Sequence, residues 1–213
     1  MKNTAPSPDL VNDLLIRGIE EIGLQYIPLQ IASFITYLEE LKKWNKAYNL
    51  TGLRTDRDIV IKNFLDSLLF CQVIPNEIRS VADIGSGAGF PGIPIKIMKP
   101  ELQVVLIEPT QKKALFLKHI CHRLALQNTQ VVDKRIEDVS GITVDALVTR
   151  ALFTAGDFMK KAGHILNNHG ILVLSKGPKL QEELKGIQQA AVSVHDRILP
   201  FVKTTRHLVV VKT

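Results

Sequence analysis

Asp83-Ile84-Gly85-Ser86-Gly87-Ala88-Gly89-Phe90-Pro91-Gly92 is the stretch that decides the fold of this chain. It leaves a short apolar run (81–84) and enters residues with helical spacing. Glycines here let the backbone turn tightly and let a ligand approach main-chain atoms with no Cβ in the way. So many glycines weaken a strand end unless something uses the space, so the segment reads as a ligand loop. Outward from it, short β-branched runs at 103–107, 130–132, 146–149 and 171–174 alternate with helical stretches at 94–98, 111–126, 155–166 and 179–190. Alternation of this kind implies a parallel sheet covered on both faces. Two further runs, 192–199 and 207–212, are joined by a short polar turn and read as a closing hairpin. The expectation is an α/β fold with a seven-stranded, mostly parallel sheet and an antiparallel edge. Ligands of such sheets bind at the carboxyl ends of the strands beside the topological switch, where the first strand ends.

The N-terminal third reads as helical. Ser7-Pro8 suits a cap and first turn. Leu10, Val11, Leu14, Leu15 and Ile19 follow at helical spacing. A second helix starts near Pro28 with Ile31, Phe34, Ile35, Leu38 and Leu41 on one face and Glu39, Glu40, Lys42 and Lys43 opposite. Asn49, Leu50, Thr51 and Gly52 read as a loop, and a third helix from about Asp56 turns Ile59, Leu65, Leu68, Leu69 and Val73 inward. The chain has 213 residues, 46% of them hydrophobic, enough for a sizeable core. No apolar run approaches a membrane span, and residues 1–8 lack a signal-peptide core, so a soluble cytoplasmic protein is expected. Cys71 and Cys121 stand far apart among apolar neighbours and read as reduced core thiols, and no metal-ligand spacing is present. A net charge of +6 suits a polyanionic partner without demanding one.

Two ligand classes compete for the glycine loop. Gly87 through Gly92 formally matches the dinucleotide pattern GxGxxG, but there the first glycine follows the strand directly. Gly85 holds that place, and in its frame Phe90 stands where the third glycine belongs. Asp83-x-Gly85-x-Gly87-x-Gly89 is instead similar to motif I of S-adenosylmethionine methyltransferases. Glu108 ends the next strand at the spacing of about 20 residues where an acid meets ribose hydroxyls. It supports an adenosine-containing ligand without choosing between the two classes. Arg135-Ile136-Glu137-Asp138 follows the third strand, at the loop that meets an adenine ring in this architecture. Arg150 follows the fourth strand, where it can pair with a cofactor carboxylate or an RNA phosphate.

From about residue 44 to 212 the chain resembles the bacterial small-subunit rRNA methyltransferase G family, also called glucose-inhibited division protein B. The resemblance rests on Trp44-Asn45-Lys46-Ala47-Tyr48-Asn49-Leu50-Thr51, Leu65-Asp66-Ser67, the stretch from Asp83 to Pro94, Lys112-Lys113, Thr149-Arg150-Ala151, Lys176-Gly177 and Arg206-His207-Leu208 onward, in that order. It implies a class I, Rossmann-like S-adenosylmethionine methyltransferase fold, and with the helical reading of the N-terminal third the expected division is a helical region over 1–75 and the Rossmann-like domain over 76–213, in one compact unit. It also implies methylation of guanine N7 in 16S rRNA by a monomeric cytoplasmic enzyme. By position it carries cofactor contact to Gly85, Phe90, Ile136, Glu137 and Arg150, with Glu108 at the ribose place and Asp83, Gly87 and Gly89 in the loop. Asn63 departs from a His frequent in the family, and Asn keeps a donor and an acceptor but cannot titrate. Pro109-Thr110 also departs from the usual Ser.

Guanine N7 offers a lone pair and no proton, so no catalytic acid or base is nominated. C5 methylation needs a loop cysteine, and both cysteines read as helical. Amine methylation usually comes with Asn-Pro-Pro-aromatic, where this chain has Thr149-Arg150-Ala151-Leu152. The candidate RNA contacts are Lys42, Lys43, Lys46, Arg54, Lys176 and Arg206, with Arg57, Lys62, Lys112, Lys113, Lys118 and Arg123 able to widen the patch. Trp44 and Tyr48 read first as core, with base stacking as the alternative. An NAD-dependent oxidoreductase and a catalytically idle RNA-binding or ribosome-assembly module are the competing functions. The first is disfavoured by the glycine frame and by the lack of residues for a separate substrate domain.

Overall fold

A computed structural model describes residues 8–150, 154–176, 192–202 and 204–213. The helix expected over 179–190 and the cap at Ser7 lie outside the described residues. Among the described residues seven strands form one sheet: β1 (Ser80–Ile84), β2 (Gln103–Ile107), β3 (Thr129–Val132), β4 (Val144–Arg150), β5 (Leu166–Lys176), β6 (Val192–Leu199) and β7 (Thr204–Lys212). Their order is β3-β2-β1-β4-β5-β7-β6. β1 to β5 run parallel, and β7 lies antiparallel between β5 and β6. β1 sits between β2 and β4, so the chain reverses its direction of travel across the sheet there. The glycine loop opens at that switch point.

Strand alternation splits the core into two layers. Val81, Val104, Leu106, Val148 and Val173 face one layer. Ala82, Ile84, Val105, Ile107 and Leu147 face the other, against Phe158, Ala162 and Ile165. Both faces of the central strands are dry, which is why they read as unbroken apolar runs.

The N-terminal helices belong to the first layer. α1 (Pro8–Ile22) and α2 (Pro28–Tyr48) bury Leu15, Ile19, Phe34, Tyr37 and Leu41 in the cluster that holds that sheet face. Pro28 opens α2 where a missing N–H costs nothing. Gln30 accepts the Ile27 N–H and caps the carbonyls of Ile97 and Met98, joining α2 to α5 (Gly92–Met98). Asn49 ends α2 in the left-handed region at φ 49°, and Asn45 Oδ1 accepts the Thr51 N–H at 2.8 Å. The Trp44 to Thr51 segment is thus first a chain-turning device.

The third helix departs from its expected regularity. α3 (Asp56–Ile59) passes into a π-helical turn (Val60–Leu65), then α4 (Asp66–Leu68) and a 3-10 turn (Leu69–Gln72). The wide π turn changes the facing of the residues after it. Asn63, Asp66 and Ser67 end up buried beside Phe64 and Leu65. α6 (Gln111–Arg123) and α7 (Ala155–Ala162) complete the described helices, both ending before the expected boundary. β5 and β7 instead start earlier than their apolar runs, at Leu166 and Thr204. Cys71 is buried and Cys121 half-buried, both free, and burial pushes each thiol up to about 12.

Candidate functional site

The loop after β1 is held from both sides. Gly85 and Ser86 donate to the carbonyl of Ile107 at 2.9 and 3.1 Å, and Thr149 Oγ1 donates to that of Ile84 at 3.0 Å. Gly85 and Gly87 have φ of +71° and +61°, a region that L side chains rarely adopt. Two clefts meet at Gly85. The larger, 540 Å³, is lined by Ile84, Gly85, Ile107, Glu108, Thr110 and Lys113 together with Arg135, Ile136 and Glu137. Glu108 is only 4% exposed, and its two carboxylate oxygens accept the N–H groups of Gly87 and Thr110, each at 2.9 Å. Further lone pairs on that carboxylate remain available. The Glu137 carboxylate is engaged by Lys161, which holds its pKa below the ordinary value.

Asp83 and Gly89, expected as cofactor contacts within the loop, are not among the residues that line either cleft. Asp83 is fully buried. Its Oδ2 accepts the Gly92 N–H at 2.9 Å, tying β1 to the first turn of α5, while Oδ1 has no partner among the described residues. Burial pushes its carboxyl up to about 7. At Gly89 a Cβ would come within 2.5 Å of Ile93 Cδ1 and Tyr37 Oη. Tyr37 comes from α2, and its hydroxyl donates to the Ala88 carbonyl. Its ring stacks 5.4 Å from Phe90 and 5.2 Å from Phe64. The N-terminal helices therefore brace the loop from below, a contact no local signal announces.

The smaller cleft, 180 Å³, is lined by Leu50, Thr51, Asn63, Phe90, Arg150 and the loop from Gly85 to Ala88. The Arg150 guanidinium lies 5.2 Å over the Phe90 ring. It donates to Asn63 Oδ1 at 3.2 Å, to the Lys62 carbonyl at 3.1 Å and to Asp66 Oδ2 at 3.3 Å. Arg206 from β7 donates to the other oxygen, Asp66 Oδ1, at 2.6 Å. A carboxylate as buried as Asp66 requires cations, so Arg206 is taken up by the fold. Arg206, expected as an RNA contact, is thus held by Asp66 through its Nε.

The other basic positions divide. Lys42 pairs with Asp56 at 2.7 Å, Lys62 with Asp58 at 2.6 Å and Lys118 with Asp133 at 2.9 Å. Lys43, Lys46 and Arg54 are exposed. Lys176 closes β5, opposite His207 of β7. Trp44 packs half-buried against Phe116 and His119, whereas Tyr48 is 43% exposed. Asn63, Ser86 and Thr51 were missed as cleft residues, because only the π turn and the loop's path bring them together. Among the described residues no group of three His, Cys, Asp or Glu is placed to hold a metal. No described helix is long and apolar enough to cross a membrane.

Comparison with known proteins narrows the class. Over 95% of this chain and all of the other, the fold overlays a crystal structure of a putative caffeoyl-CoA O-methyltransferase from Staphylococcus aureus with a TM-score of 0.59 at 13% identity. M. jannaschii TYW2, solved in complex with AdoMet, overlays 70% of this chain and 74% of its own with a TM-score of 0.52 at 18% identity. These likenesses establish a class I methyltransferase fold. In sequence, the ribosomal RNA small subunit methyltransferase G of Xylella fastidiosa is 35% identical over 100% of this chain and 99% of its own. That of Neisseria meningitidis serogroup C is 34% identical over 92% and 95%, and that of Coxiella burnetii 33% over 95% and 98%. The family model described as rRNA small subunit methyltransferase G matches residues 30–209. With the loop, the switch-point clefts and these relatives in agreement, the chain belongs to the rRNA small subunit methyltransferase G family.

Proposed function

We propose that this chain transfers the methyl group of S-adenosylmethionine to N7 of a guanine in 16S rRNA. The observation that carries this reading is the pair of clefts meeting at Gly85. The residues present suit that cofactor. Glu108 keeps lone pairs for two ribose hydroxyls, and Ile84, Ile107 and Ile136 offer apolar walls to a purine. The smaller cleft, with Arg150 and Asn63, suits the charged amino-acid end. When bound, the cofactor supplies an electrophilic methyl group on a sulfonium sulfur.

The chain's own contribution is alignment. Gly85 lines both clefts, and Glu108 holds the loop at Gly87. Positioning of this kind can supply roughly 7–11 kcal/mol of a barrier. A guanine N7 brings its own lone pair, so no protein group has to take a proton. Asp83 is sealed beneath the loop, and Cys71 and Cys121 keep their protons, so none of them is asked to be base or nucleophile. Lys43, Lys46 and Arg54 flank Leu50 and Thr51 of the smaller cleft in sequence and would meet phosphates. The rRNA class rests on the named relatives, and the partner is 16S rRNA or the assembled small subunit, met by a cytoplasmic monomer.

The test is methyl transfer from labelled S-adenosylmethionine to 16S rRNA and to small subunits, with Gly85→Val as control and the product mapped by mass spectrometry. Labelled 7-methylguanosine at one position, lost in the control, is expected. Label on another base would overturn the target atom. Cofactor binding without transfer to either substrate would favour the idle RNA-binding module, and binding of NAD in place of S-adenosylmethionine would overturn the cofactor.

A further inference from the structure

Asn63 lies in the π-helical turn on the wall of the smaller cleft and is 5% exposed. Its Oδ1 accepts from Arg150 Nη2 at 3.2 Å. Arginine has donors only, so this bond fixes which way the amide faces. Nδ2 is then a donor withdrawn from water, and no acceptor among the described residues meets it. Leaving such a donor unpaired destabilises a fold, and one on a cleft wall persists where a ligand brings the acceptor.

The surrounding charge says what kind of acceptor. Asp66 is shared by Arg150 and Arg206, so two guanidiniums face one carboxylate and the cluster keeps one positive charge in excess. The cleft beside it is 180 Å³. It suits a small anion with oxygen acceptors. We propose that Asn63 Nδ2, together with Arg150, binds the α-carboxylate at the methionine end of S-adenosylmethionine. This rests on the reading of the two clefts as a site for that cofactor. In this arrangement Asp66 is a positioning residue, steadying the Arg150 guanidinium, and Asn63 discriminates ligands that carry the acid from those that lack it.

The experiment is calorimetry of the full chain and of Asn63→Asp and Asn63→Ala with three ligands: S-adenosylmethionine, decarboxylated S-adenosylmethionine and methylthioadenosine. Asn63→Asp keeps an acceptor toward Arg150 but puts an anionic oxygen where the donor stood. It should weaken S-adenosylmethionine about 10- to 100-fold, the range of a hydrogen bond to a charged group, and change the other two ligands by less than about twofold. Asn63→Ala should show the same selectivity. Thermal unfolding without ligand reports whether each variant is folded. Equal losses for all three ligands, or no loss for any, would overturn the proposal. So would unchanged cofactor binding with weakened 16S rRNA binding, which would make the occupant an RNA phosphate. Failure of the unaltered chain to bind any of the three would instead overturn the cofactor reading beneath it.

Discussion

Asp83→Asn tests whether the carboxyl under the glycine loop is as reluctant to ionise as its burial implies. Burial raises the Asp83 pKa from 3.8 to about 7, although Gly92 N–H and Arg150 act the other way. A move from 3.8 to about 7 corresponds to about 4 kcal/mol between the two protonation states. The sign follows from proton linkage. Below about pH 3.8 both folded and unfolded chains hold the proton. Between about 3.8 and 7 the unfolded chain releases it and the folded chain keeps it, so stability falls as pH rises. Above about 7 both are ionised, and the full penalty stays. Asparagine removes the titration while retaining an acceptor for the Gly92 N–H, at the cost of an unpaired buried donor, about 1–3 kcal/mol. The stability difference between the original chain and the variant should therefore move by about 1.4 kcal/mol per pH unit across pH 4.5–6.5, in favour of the variant as pH rises. Urea unfolding at half-unit pH steps, without ligand, measures it. A difference that stays flat within about 0.5 kcal/mol over that window would mean that Asp83 ionises normally, and the account of the loop's foundation would fall.

Gly89→Ala should cost about 3 kcal/mol, since φ is +101° and the new Cβ would press on Ile93 and Tyr37, as read by denaturant midpoint. Tyr37→Phe keeps the aromatic stack but strands the Ala88 carbonyl, so unfolding should show a loss of about 1–3 kcal/mol, with weaker S-adenosylmethionine binding by calorimetry. An unchanged affinity would detach α2 from the loop's function. Arg206→Ala leaves Asp66 with one cation and should cost about 2 kcal/mol of stability. Replacing Lys43, Lys46 and Arg54 by Gln should instead leave stability within about 0.5 kcal/mol while lowering the salt slope of RNA binding by about 0.7–0.9 for every phosphate these cations neutralise. An unaltered slope would remove these three from the RNA path.

The strands, the switch point and the ligand class were legible because their causes are local. A run such as 104–107 buries both faces whatever else the chain does, and β6 lies over 192–199, where the first arm of the hairpin is expected. The glycines at 85 and 87 are needed by the turn itself, and Glu108 is tied to them by strand spacing alone. The ionic and aromatic centre was not legible in this way. Arg206 reads as one more basic residue until β7 brings it to Asp66, 140 positions earlier, and Arg150 joins them from β4. Asn63 stands in the sequence as a departure from a family His and Asp66 as part of a short motif, and it is the π turn that leaves both buried. That Asp83 ties β1 to α5 and that Gly89 packs against Ile93 and Tyr37 shows only in the closed fold. Periodicity and spacing encode what each segment must bury. Only the closed fold decides which charge meets which, because a buried carboxylate takes its cation from whatever element packing places beside it.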